Sequence, residues 1–192
     1  MHVSAKAALL SIASIVLASP AFAHTGHDVT FAVRDGLLHP LHGLDHMLAM
    51  VAVGLLAWQM NGHAKWALPV TFVVVMAIGA ATAMSGLAIS GVELAILGSV
   101  VVLGLTIAAQ ARAPLAVAAA IVGAFAFMHG HAHGAEATEM AGIAGYAVGF
   151  IATTALLHAA GLAIGWRLAR SALALRLIGA GIALAGIGLA AA

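Results

Sequence analysis

An all-α bundle of membrane-spanning helices is the fold class that this sequence predicts, and three observations predict it. Hydrophobic residues make up 64% of the 192 residues and charged ones only 7%, too little polar surface to keep a globule in water. The apolar residues fall into runs of roughly 20, the length that crosses the hydrocarbon of a bilayer. The few cations collect in alternate loops between those runs. The same composition excludes other classes. A net charge of +1 supplies no basic stripe for phosphates, so nucleic acid is not a partner. Cysteine is absent, which removes disulfides, thiolate metal sites, iron–sulfur clusters and CxxCH haem attachment. Any metal ion must then be held by nitrogen, oxygen or thioether.

Residues 1–23 have the layout of a cleaved signal peptide: Lys6, an apolar run from Ala7 to Ala18, then Ser19, Pro20 and the small-x-small ending Ala21-Phe22-Ala23. The alternative is an uncleaved first helix, and either way His24 lies outside the cytoplasm. Residues 24–37 read as a periplasmic segment containing histidines, and residues 38–192 as a domain of six transmembrane helices. The spans fall near residues 38–60, 67–89, 93–110, 114–131, 141–165 and 172–191. With the mature N-terminus in the periplasm, Lys65, Arg112, Arg167 and Arg170 lie in inner loops, Arg176 lies just beyond them, and Arg34 lies outside. That asymmetry is the positive-inside pattern, and it does not depend on the signal peptide. Six spans return the C-terminus to the periplasm, in the inner membrane of a bacterium. Glycine pairs at four-residue spacing, Gly145 with Gly149 and Gly161 with Gly165, let helix backbones approach closely. Homo-oligomerisation is left open.

Two histidine clusters carry the chemistry. In His39-Pro40-Leu41-His42-Gly43-Leu44-Asp45-His46, helical rotation of about 100° per residue puts His39, His42 and His46 on one face with Asp45 beside them. This reading takes Pro40 as part of an initial turn and Asp45 and His46 as about two turns into one helix. A carboxylate in lipid needs a partner, so Asp45 next to His46 reads as a functional site. Met50 continues the face but reads as packing. The second cluster, Met128-His129-Gly130-His131-Ala132-His133-Gly134-Ala135-Glu136, leaves the fourth span on the same side. There Gly130 and Gly134 permit an unwound backbone that turns His129, His131 and His133 inward together. The bland alternative is an exposed His-rich loop.

Glu93 opens the third span on that side, as a ligand or as a headgroup-level charge favoured by the helix dipole. His158 is deep in the fifth span, below Thr153 and Thr154, as a relay toward the cytoplasm or as a histidine hydrogen-bonded to a neighbouring helix. His24 and His27 open the mature terminus as a capture arm or a disordered tail. Imidazole and carboxylate without thiolate suit Ni(II), Co(II), Zn(II) or Cu(II), and affinity order alone does not choose among them.

At its two histidine motifs the sequence resembles the HupE/UreJ family of nickel permeases, whose first helix carries HPxxGxDH and whose fourth carries HGxAxGxE. The resemblance spans essentially the whole chain. It implies nickel as the transported ion, with cobalt or zinc as alternatives, no organic cofactor, no enzymatic activity, and supply of hydrogenase or urease. It implies functional roles for His39, Asp45, His46, His129 and Glu136; His42 and His133 are added from spacing and chemistry.

No GxxxxGK loop is present, so transport is expected to be secondary or facilitated. Metal capture by neutral imidazole should weaken below a pH of about 6.5. Two other classes stay open: a membrane metal sensor or assembly partner without flux, and a bis-histidine haem protein using His46 with His129 or His158. No HExxH supports a metalloprotease.

Overall fold

The computed structural model describes residues 29–137 and 142–192, so the signal peptide of residues 1–23 and the His24 and His27 arm lie outside the described residues. The described residues form an all-helical structure of seven helices. They are α1 (Val29–His42), α2 (Leu44–Met60), α3 (Ala64–Met84), α4 (Val92–Ala108), α5 (Leu115–Ala137), α6 (Ile143–Arg167) and α7 (Ala172–Ala190). Four of them, α3, α5, α6 and α7, are long and apolar enough to cross a membrane, and α1 with α2 makes a fifth if the bent pair is one span. Helix α4 is apolar throughout but has only 17 residues. Large apolar side chains face outward on every side, Leu94, Leu156, Leu173 and Leu184 among them. Such a surface requires lipid as its solvent.

The first apolar run departs from the sequence expectation. It is two helices bent by 84°, not one. The chain is already helical at Val29, and α1 holds Pro40 in its last turn, where the ring removes an N–H, and Gly43 then adopts an extended conformation (φ −96°, ψ 112°) that interrupts the helical path. Asp45 and His46 therefore sit in the first turn of α2, not two turns deep in a helix that began with Pro40. The second histidine segment departs in the other direction. Helix α5 runs unbroken to Ala137 and carries His129 to Glu136 on regular helix, so Gly130 and Gly134 do not unwind it. They serve close packing instead: a Cβ at Gly130 would collide with the Met76 carbonyl, and one at Gly134 with the Ala80 carbonyl.

Those contacts also set helix direction. Thr71, Met76 and Ala80 of α3 meet Gly123, Gly130 and Gly134 of α5 in ascending order, so the two helices run parallel. Val51 and Trp58 of α2 likewise ascend with Gly161 and Gly165 of α6. By contrast, Val100 meets Gly186 while Ala108 meets Gly179, so α4 and α7 are antiparallel. Thr153 ties α1 to α6 by donating its hydroxyl to the Leu37 carbonyl at 2.8 Å. Both halves of the bent pair thus lean on α6, which brings His39 and His46 to one end of the bundle beside α5.

Candidate metal centre

Helical geometry explains which residues of α5 converge. His129, His133 and Glu136 stand at i, i+4 and i+7, within about 60° of one another around the axis, whereas His131 is rotated by about 200° from His129. His131 accordingly points away: its Nε2 bonds the Leu87 carbonyl at 2.8 Å, in the segment between α3 and α4. The expectation that all three histidines turn inward is corrected at this residue. It required an unwound backbone that the glycines do not supply.

From α1 and α2 the bend delivers His39 and His46 to the same face. The His39 and His133 rings lie 4.8 Å apart, His133 and His46 4.5 Å, and His46 and His129 5.1 Å. His39 Nε2 is 3.0 Å from a Glu136 carboxylate oxygen. Ligand atoms of His39, His133 and Glu136 all lie within 4.8 Å of one another, a group able to hold one metal ion. His42, Glu93 and Asp45 line the cleft of ≈ 250 Å³ that opens over this group. Glu93 and His42 are exposed at its mouth.

The hydrogen bonds around the rings decide their chemistry. Asp45 Oδ1 accepts both the backbone N–H of His46 at 2.8 Å and its ring Nδ1–H at 2.7 Å. His129 Nδ1–H donates to the Phe125 carbonyl at 3.0 Å, and His133 Nδ1 faces Glu136 at 3.4 Å. In each ring one nitrogen is held against oxygen and the other, Nε2, is buried with no hydrogen-bond partner among the described residues. A neutral imidazole fixed through Nδ1–H presents a lone pair at Nε2, the arrangement in which histidine binds a metal ion. Asp45 thus acts first by orienting His46, a role that adjacency in sequence did not disclose.

Three residues outside the sequence expectation frame the site. Tyr146 and Phe150 of α6 pack their rings against His39, and Phe150 also meets His133. Phe72 of α3 stands against the inner side of His129 with ring centroids 5.5 Å apart. Tyr146 is the one tyrosine in the chain and lies one turn before Phe150, a small cue for a shared face.

The sequence profile of the HupE / UreJ protein family matches residues 12–189 of the chain. A curated relative, Protein HupE of Rhizobium leguminosarum bv. viciae, is 45% identical over 156 residues, covering 80% of each chain. No solved structure matches.

Proposed function

The chain belongs to the HupE/UreJ family, and from that premise we propose that it is a secondary or facilitated permease that imports nickel from periplasm to cytoplasm for hydrogenase or urease. The observation that carries this reading is the His39, His133 and Glu136 group able to hold one ion, continued inward by His46 and His129, with the buried Nε2 atoms of His46, His129 and His133 lacking a hydrogen-bond partner among the described residues. Stripped of part of its water, a dication gains two imidazole nitrogens and a negative charge at that group, with His46 and His129 next in line. His42 and Glu93 at the mouth receive it first, and His24 and His27 extend the capture surface.

Six spans follow if α1 with α2 is one broken span and α4 is another. Packing directions support that count. Alternating passage makes spans one and five parallel, two and four parallel, and three and six antiparallel, which is how α2 and α6, α3 and α5, and α4 and α7 pack. Lys65, Arg112, Arg167 and Arg170 then share the end opposite the histidines, favouring a cytoplasmic end there and both termini in the periplasm.

A haem between His46 and His129 is disfavoured by the geometry, because the two rings touch edge to face and leave no slot for a macrocycle. A sensor without flux is separated by experiment. Full-length protein in proteoliposomes should accumulate radioactive nickel in competition with cobalt and zinc, and an imposed proton gradient should reveal the coupling. Binding at the histidine cluster with no accumulation under any gradient would leave the sensor reading in its place.

A further inference from the structure

His158 takes no part in the cluster, yet among the described residues it is the one imidazole with both ring nitrogens buried and without a hydrogen-bond partner. It is 1% exposed, near the middle of α6, and its backbone packs against Gly54 of α2. Gly54 lies eight residues beyond His46, so His158 is about 12 Å further along the bundle toward the opposite end. Neither Nδ1 nor Nε2 has a hydrogen-bond partner among the described residues, and the hydroxyl of Thr154, one turn away on the same face, is equally buried and unpartnered. A structural histidine in lipid satisfies its N–H on a nearby carbonyl, as His129 does with Phe125. His158 does not, so the expectation of a hydrogen bond to a neighbouring helix fails.

The route to it is marked by one side chain. Phe72 is fully buried and presents its ring edge to face with two imidazoles, His129 at 5.5 Å and His158 at 5.0 Å. The rings of His39, His133, His46, His129, Phe72 and His158 thus form an unbroken series, each touching the next, from the cleft into the bundle. Every imidazole after His39 in that series keeps a nitrogen without a hydrogen-bond partner.

We propose that His158, with the Thr154 hydroxyl beside it, is an inner binding station for the divalent transition-metal ion, reached from His129 when the Phe72 ring swings aside. It rests on the permease reading and adds the inward step that the outer cluster lacks. A single imidazole with a hydroxyl holds an ion more weakly than the outer set does, which suits release toward the far side. The aromatic ring between the stations has no lone pair to trap the ion in transit.

The chain contains no cysteine, which makes a direct test available. In full-length His158→Cys protein the only sulfur able to give a thiolate-to-metal charge-transfer band is at the proposed station. Adding Ni(II) or Co(II) should produce that band, while Val100→Cys, equally buried in α4, should give none. His158→Leu should retain nickel affinity at the outer cluster, measured by equilibrium dialysis, and lose most of its proteoliposome uptake. Wild-type uptake by His158→Leu, or absence of the band while the outer cluster of His158→Cys binds nickel normally, would overturn the station and leave the permease reading intact. Loss of outer-cluster binding in both variants would also overturn it, by making His158 a support for that cluster. Failure of the wild-type protein itself to move nickel would count against the permease reading instead.

Discussion

The two ends of the bundle both bury polar side chains, and they treat them in opposite ways. At the end where α2 stops, Gln59 is buried and fully engaged. Its amide donates to the Ala111 carbonyl at 2.8 Å and the Thr106 carbonyl at 3.4 Å, and its own oxygen accepts from Gln110 at 3.3 Å. At the end where α2 starts, His46, His129 and His133 each leave a buried nitrogen unpartnered. Burying a polar atom without a partner costs about 1–3 kcal/mol, more than a well-folded bundle tolerates repeatedly without a use for it. Satisfied amides fasten helices together, whereas imidazoles left unsatisfied among the described residues keep a lone pair for an ion.

That contrast can be broken at either end. The largest effect is expected at Asp45 and His46. Asp45→Asn keeps size but removes the charge that orients His46 and offsets a dication's loss of water, so it and His46→Ala should each lower nickel uptake by roughly 10- to 100-fold or more. Leu44→Ala should do little. Uptake at the wild-type rate by well-folded Asp45→Asn protein would sink the assignment. Next comes pH. Protons compete for the same lone pairs, so nickel affinity in detergent should fall under acid conditions and be restored on neutralisation. An affinity unchanged by acid down to the unfolding of the bundle would mean that neither imidazole nor carboxylate holds the ion.

Gln59→Leu should behave in the reverse manner. It removes three hydrogen bonds, of which the one to the Ala111 carbonyl at 2.8 Å is the shortest, so thermal stability in detergent should fall by an amount equivalent to about 1–3 kcal/mol while nickel affinity stays unchanged. A selective loss of affinity would erase the distinction between the two ends. The smallest effect belongs to His131→Ala. Its ring serves the segment between α3 and α4, so titration should find nickel affinity within about twofold of wild type, less than 0.5 kcal/mol.

The sequence made the apolar spans legible because lipid demands long uninterrupted runs, and α6 and α7 begin and end within two residues of expectation. It made His39, Asp45, His46, His129 and Glu136 legible through their motifs. The bend was not legible. Extending a period of about 3.6 residues through His39 to His46 placed the histidines on one helical face, when Gly43 instead folds two short helices around the site. His131 was misplaced by the opposite error, since glycines read as flexible are in fact the seats of the Met76 and Ala80 carbonyls. Phe72, Tyr146 and Phe150 had no signal of their own, because an aromatic residue in an apolar run looks like any other until a distant helix brings it to a histidine.

The break at Gly43 has an electrostatic consequence. Because α1 stops at His42 before the extended Gly43, its C-terminus finishes beside the cluster. Aligned peptide dipoles leave about half a negative elementary charge at such a terminus. The N-terminus of α2 begins there with the opposite sign, and Asp45 in its first turn offsets that charge. With Asp45 cancelling the α2 dipole, the α1 terminus leaves this end of the protein biased toward cations, so the bend and one carboxylate together set the field that an arriving ion meets. Asp45→Asn removes that bias even where the bend is preserved.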